Sequence, residues 1–174
     1  MDRDGLSRVG VSAYRRIGVR PEAIAYLIIV DAIIITYDKC VMAMAKHFRD
    51  LDVYQEAMEI VMSVSELTRT FPADEKYVLS DQIRRSSRSV CANLAEAWRK
   101  RRYLAAFVSK LNDAETESAE TLVHLEIAFR HRYITSEMFA RLDDACDKII
   151  AQIVKMIDHA DRWVVKPRRN IPNA

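Results

Sequence analysis

The sequence predicts an all-α chain: an antiparallel up-down-up-down four-helix bundle, preceded by a poorly packed or appended N-terminal extension. Three observations predict it. The 174 residues include 3 Gly and 4 Pro, too few turn formers for a sandwich or barrel. Charged residues make up 30% and hydrophobic ones 50%, the balance of long amphipathic helices. From Leu51 onward, apolar residues recur at three- and four-residue steps in four long segments with short breaks between them, and helices so joined pack as antiparallel neighbours. The length fits one domain with a substantial core.

Residues 1–46 read as the extension. Gly5, Gly10, Gly18 and Pro21 interrupt any helical period, and the β-branched run Ile33, Ile34, Ile35 follows. Ala23 to Ile35 is apolar and preceded by Arg15, Arg16 and Arg20, like the parts of a signal peptide. At about 13 residues it falls short of the ~20 needed to span a bilayer. Asp31 interrupts it and no small-residue cleavage pattern follows, so neither a working signal nor a membrane anchor is expected. The change in composition at Met42 to Lys46 suggests that the extension is non-native, from an upstream start codon; the intact mass of the natively expressed protein tests this.

Residues 47–165 are read as the bundle domain. The first helix is expected from about Leu51 to Thr70, with Asp50 or Asp52 as N-cap and Leu51, Tyr54, Met58, Val61, Val64 (or Ser65) and Leu67 as its apolar stripe. Phe71-Pro72 stops it, because proline disfavours helix at the preceding residue. The second is expected from about Glu75 to Lys100, where Asp74 and Glu75 suit a helix start and Leu79, Ile83, Val90, Leu94 and Trp98 (or Ala97) form the stripe. The third runs from about Tyr103 to His131 on Phe107, Leu111, Ala114, Leu122, Leu125 and Phe129. Thr135 or Ser136 caps the fourth, whose stripe is Phe139, Leu142, Cys146, Ile149, Ile153, Met156 (or Ile157) and Trp163. Residues 166–174 form a basic tail beginning Lys166-Pro167-Arg168-Arg169.

Lys+Arg 27 against Asp+Glu 25 gives a net charge of +2, so charge alone does not mark a nucleic-acid binder. Cys40, Cys91 and Cys146 show no CxxC spacing, which suggests neither a disulfide framework nor a zinc site and fits a reducing cytoplasm. No P-loop, dinucleotide fingerprint or nucleophile elbow occurs. Of His47, His124, His131 and His159, His124 stands four residues after Glu120, but the Glu-x-x-His pairs of a di-metal bundle are missing. Neither a metal nor a cofactor is expected.

Two groups of residues stand out. Gln82, Arg85, Ser86, Ser89, Asn93 and Glu96 fall on one face of the second helix. Small neighbours there invite close approach by another helix and partial burial of Asn93 and Glu96. Glu117 and Glu120 on the third helix, with Arg85 or Arg88 to neutralise carboxylates, would complete a polar network that fixes register; the alternative is a small-ligand or catalytic cluster of Asn93, Glu96, Glu117 and Glu120. The second group, Arg84, Arg85, Arg88, Arg99, Lys100, Arg101 and Arg102 with Trp98 and Tyr103 beside it, combines phosphate-neutralising cations with aromatic surfaces. The competing reading is that Arg99 to Arg102 cap the helix end, where the dipole favours cations.

The run Phe48-Arg49-Asp50-Leu51-x-Val53-Tyr54-Gln55-x-Ala57, then Phe71-Pro72-x-x-Glu75-x-Tyr77-x-Leu79-x-x-Gln82-Ile83-x-Arg85-x-x-x-Ser89-Val90-x-x-Asn93-Leu94-Ala95-Glu96, resembles the four-helix bundle proteins of the 23S ribosomal RNA intervening-sequence family, once labelled S23 ribosomal proteins. The stretch from Phe107 to Leu125 looks like one branch of it. The likeness extends over about Phe48 to Ile157. Ala97 stands where the family usually has Gly, and Ser86 where an apolar residue is common. The resemblance implies a ring-like homopentamer, and kinship with accessory proteins of diversity-generating retroelements, which bind a reverse transcriptase and nucleic acid. The expected function is therefore a non-enzymatic, ring-forming scaffold or adaptor in the cytoplasm. Its expected partners are itself and RNA or a nucleic-acid enzyme, with no membrane role. Apolar Ile60, Met62, Ile150 and Val154, outside a single core stripe, mark the expected association surface.

Overall fold

The chain divides into two units between Met44 and Ala45. In the computed structural model, residues 45–165 and Arg20 are described. The expectations for residues 1–44 apart from Arg20, Cys40 among them, and for the tail 166–174 lie outside the described residues.

A 3₁₀ turn over Phe48–Asp50 opens the bundle unit. The Asp50 carboxylate accepts the Lys46 and His47 backbone N–H groups, each at 2.8 Å. Asp50 thus caps this turn and not the long helix that follows. Helix α1, Asp52–Leu67, has Leu51 as N-cap with no side-chain cap bond; Asp52 is its first residue, placing a carboxylate at the positive end of the helix dipole. Its core row is Val53, Ala57, Ile60, Val64 and Leu67. The expected Tyr54, Met58 and Val61 lie half-buried one step round the helix.

Phe71 is buried and Pro72 leads into a second 3₁₀ turn, Ala73–Lys76. Helix α2 therefore starts at Leu79, four residues later than expected, after the exposed Tyr77 and Val78, and runs to Lys100. Leu79, Ile83, Val90, Leu94, Ala97 and Trp98 are all buried, as their spacing predicts.

Helix α3, Leu104–Arg130, buries Phe107, Leu111, Ala114, Ser118, Thr121, Leu125 and Ala128, while Leu122 and Phe129 stay half-buried. It pairs most extensively with α2. The pairing is antiparallel, since Ser86 meets Thr121 while Asn93 meets Lys110. At its end the Tyr133 N–H donates to the Ala128 carbonyl and the Arg132 N–H to that of Phe129, both at 2.9 Å. This is the Schellman arrangement, and Arg132 takes the left-handed φ of 63° it requires.

Helix α4, Ser136–Asp158, is capped by Thr135, whose hydroxyl accepts the Met138 N–H at 3.2 Å. It packs on α3 and α1, and α1 packs on α2. The expected continuous helix to Trp163 breaks at His159, and a short helix α5, Ala160–Trp163, turns Ala160 and Trp163 into the core. The result is a helical bundle with no strand among the described residues. No described helix is long and apolar enough to cross a membrane.

Candidate nucleic-acid interface

Two polar features lie on α2, and the structure separates them. The first is a seam along the α2–α3 contact. Buried Ser86 and Thr121 meet at its centre, with the Thr121 hydroxyl donating to Ser86 Oγ at 2.9 Å and Ser86 donating to the Ile83 carbonyl at 3.3 Å. The small residues do allow the close approach that their spacing suggests.

Further along the seam, the ammonium of Lys110 reaches Glu96 at 3.2 Å, Asp113 at 3.1 Å and Asn93 Oδ1 at 3.3 Å. Sequence reasoning missed Lys110. Its position three residues before Asp113, on the face that carries Glu117, was the available signal. The hydrogen bond from Lys110 holds the Glu96 carboxyl below its usual range, and the bonds to Asp113 and Glu96 hold the lysine above its own. Asn93 is half-buried as expected, but Glu96 remains exposed because its partner reaches out to it. Gln82 is exposed and makes no hydrogen bond among the described residues.

Glu117 is raised above the carboxylate norm by burial and then by neighbouring Glu120, while Arg85 and the Ser89 hydroxyl pull it down. Its Oε2 is buried without a hydrogen-bond partner. Glu120 instead meets His124, at 3.3 Å, whose Nδ1 is also buried and unpartnered. Arg85 therefore serves the seam electrostatically, whereas Arg88 does not join it. No group of three or more metal-ligating side chains gathers among the described residues.

The second feature is basic. Asp81, Arg84, Arg85, Arg88, Ser89 and Ala92 line an open depression of about 390 Å³ on the outer face of α2. Arg84 is partly committed elsewhere, donating from Nε to Thr68 Oγ1 at 2.7 Å and tying α2 to the end of α1. At the other end of α2, Trp98, Arg99, Lys100, Arg101, Arg102, Tyr103 and Val165 line a depression of about 460 Å³. Neither depression is lined by Asn93, Glu96, Glu117 or Glu120.

Trp98 is not the exposed aromatic surface expected beside this run. It is 7% exposed, and the Arg101 guanidinium lies 3.2 Å above its ring while donating to the Trp98 carbonyl at 3.0 Å. Arg101 thus caps the helix, covers the indole and is lowered in pKa by its burial. Tyr103, 71% exposed, is the aromatic that faces outward. It is also the N-cap of α3, giving that helix start no side-chain acceptor and no acidic first turn. Lys100 pairs with Glu96 at 3.6 Å, whereas Arg88, Arg99 and Arg102 make no ion pair among the described residues.

Residues 49–155 match the family model described as 23S rRNA-intervening sequence protein. Among solved structures the chain is similar to the crystal structure of a protein with unknown function from the S23 ribosomal protein family of Bacteroides thetaiotaomicron VPI-5482. The two are 31% identical with a TM-score of 0.56, and the match covers 61% of this chain and 95% of that one. No curated protein matches the chain. The matched residues span all of α1, α2 and α3 and most of α4, so this chain belongs to the 23S rRNA-intervening sequence protein family.

Proposed function

We propose that this protein is a non-enzymatic, homo-oligomeric adaptor whose basic α2 surface engages nucleic acid. The observation that carries the reading is the set of cations Arg88, Arg99 and Arg102, exposed along and just beyond one helix with no ion pair among the described residues. A guanidinium already paired with a carboxylate gives up that contact before it can hold a phosphate; these three do not. The rival cluster of Asn93, Glu96, Glu117 and Glu120 is spanned at one end by Lys110 and borders neither depression. It fits a register-fixing network better than a ligand site.

The proposed self-association serves the same reading. A ring repeats a modest local charge around one rim and turns it into a multivalent surface. The untagged protein, purified from its own host with and without nuclease, should lose a nucleic-acid partner on treatment. In light scattering coupled to size exclusion it should show a mass near five times its 20.1 kDa subunit. A subunit-sized mass at micromolar concentration overturns the ring, and an identical composition with and without nuclease overturns the partner.

A further inference from the structure

We infer that the depression lined by Arg85, Arg88 and Ser89 on the outer face of α2 is a phosphodiester site, and that Glu117, in the seam beside it, takes up a proton when the site is filled. This deepens the proposed function and rests on it, because it gives one part of the basic surface a ligand and a pH dependence. The register of the two helices brings the parts together. Ser86 meets Thr121 and Asn93 meets Lys110, so Ser89, one turn along α2 from Ser86, comes level with Glu117, one turn back along α3 from Thr121. Ser89 and Arg85 also line the depression, whose volume of about 390 Å³ is that of a small-ligand site.

Glu117 depends on the same two residues. Its Oε2 is buried with no hydrogen-bond partner among the described residues. From α2 the Arg85 guanidinium and the Ser89 hydroxyl favour its carboxylate, while Glu120 and Asp113 along α3 oppose it. Both favourable groups therefore line the depression. A phosphodiester bound there draws the guanidinium and the Ser89 O–H to itself in charge-assisted hydrogen bonds, and it adds a negative charge beside a carboxylate oxygen shut off from water. Each change disfavours ionised Glu117. The coupling is reciprocal, so affinity for the phosphodiester falls as pH rises through the range in which Glu117 ionises. Burial, and then Glu120, already set that range above the ordinary carboxylate one.

The other residues of the depression have separate parts. Arg88 makes no ion pair among the described residues, so it meets a phosphate without giving up a partner. Arg84 is held to Thr68 at 2.7 Å and forms a fixed wall. Asp81 also opposes an anion, but it is exposed and water and salt screen it.

Fluorescence anisotropy of the full chain with labelled oligouridylate lacking a terminal phosphate, at fixed ionic strength from about pH 5 to about pH 8, tests the inference above the ordinary carboxylate range. Neither the phosphodiesters nor the uracils of the probe titrate there. The parent should bind about tenfold more tightly at the lower pH, an ordinary coupling between two sites. Glu117→Gln should bind at the higher pH as tightly as the parent does at the lower, and lose the dependence. Asp81→Asn should tighten binding at both ends of the range and keep the ratio between them; Arg88→Gln should weaken it at both and keep the ratio. A ratio as large in Glu117→Gln as in the parent overturns the proton linkage. Affinity unchanged by Arg88→Gln but lost on Arg99→Gln with Arg102→Gln moves the contact to the other end of α2 and overturns the site. Both results leave the nucleic-acid reading standing. Absence of binding to oligouridylate and to an RNA hairpin at every pH overturns that reading as well.

Discussion

Two buried hydroxyls decide how closely α2 and α3 pack, and a one-atom change measures their worth. The Thr121 hydroxyl lies 2.9 Å from both Ser86 Oγ and the Glu117 carbonyl. Thr121→Val keeps the shape but removes the donor, leaving Ser86 with its 3.3 Å bond to Ile83 alone. The expected cost is about 1 kcal/mol, the net worth of a typical internal hydrogen bond, read as a lower urea midpoint at unchanged slope. Glu117 makes the opposite kind of contribution. A carboxyl whose folded pKa lies above its unfolded value holds its proton longer in the fold, so stability falls as pH rises through the unfolded and then the folded value. Glu117 faces Arg85 and Ser89 from α2 and Glu120 and Asp113 along α3, and the net shift is upward. Glu117→Gln should therefore raise the urea midpoint at pH 7 relative to the parent and leave it nearly unchanged near pH 4. Glu96 works against it: held low by Lys110, it favours the fold above the carboxylate range and loses that contribution on acidification. A parent whose stability difference between the two pH values is unaffected by Glu117→Gln would show that the carboxylate is fully solvated.

Among the elements, the α3–α4 connection carries a strain that can be removed. Arg132 holds φ 63° at the position where helices ending in this way favour glycine. Arg132→Gly should stabilise the fold by about 1 kcal/mol, the scale of the left-handed penalty for a residue with a Cβ, and a loss of stability would mean that the arginine side chain holds something at that turn. The same connection shows how far element boundaries can be read. The stripes of α2 and most of α4 were legible because large apolar residues there occupy one row with polar ones on either side. In α1 two adjacent rows are apolar, Val53-Ala57-Ile60-Val64 and Tyr54-Met58-Val61, and hydrophobicity does not choose between them; the choice rests on packing that exists only when the partner helices are present. Ile60, expected on the association surface, is 6% exposed for the same reason. The breaks at Tyr77-Val78 and at His159 left no proline or glycine to mark them. Trp98 was legible as a core residue and as a neighbour of cations, but that Arg101 would fold back over it depends on the geometry of the helix end.

At the scale of the whole molecule, the proposed ring makes a demand that a dimer does not. A closed ring of five uses a head-to-tail contact, so each subunit needs two different patches that meet one another. With Ile60 buried, the apolar side chains left for the first patch are Met62 on α1, 61% exposed, and Val154 with half-buried Ile150 on α4, on two helices that pack together. A second apolar pair, Val123 and Ile127, stands exposed one turn apart on α3. Met62→Asp with Val154→Asp should reduce the mass seen in light scattering to that of a subunit, with helicity by circular dichroism retained, since neither side chain is in the core. Val123→Asp with Ile127→Asp should do the same. Each variant nevertheless keeps one intact patch, and in a head-to-tail ring those two patches are the ones that meet. Mixing the two variants should restore a single contact per pair and give a species of twice the 20.1 kDa subunit mass that does not grow further, because both remaining faces are charged. If the contact were instead two-fold, each patch meeting its own copy, one of the variants alone would already form that dimer and mixing would add nothing.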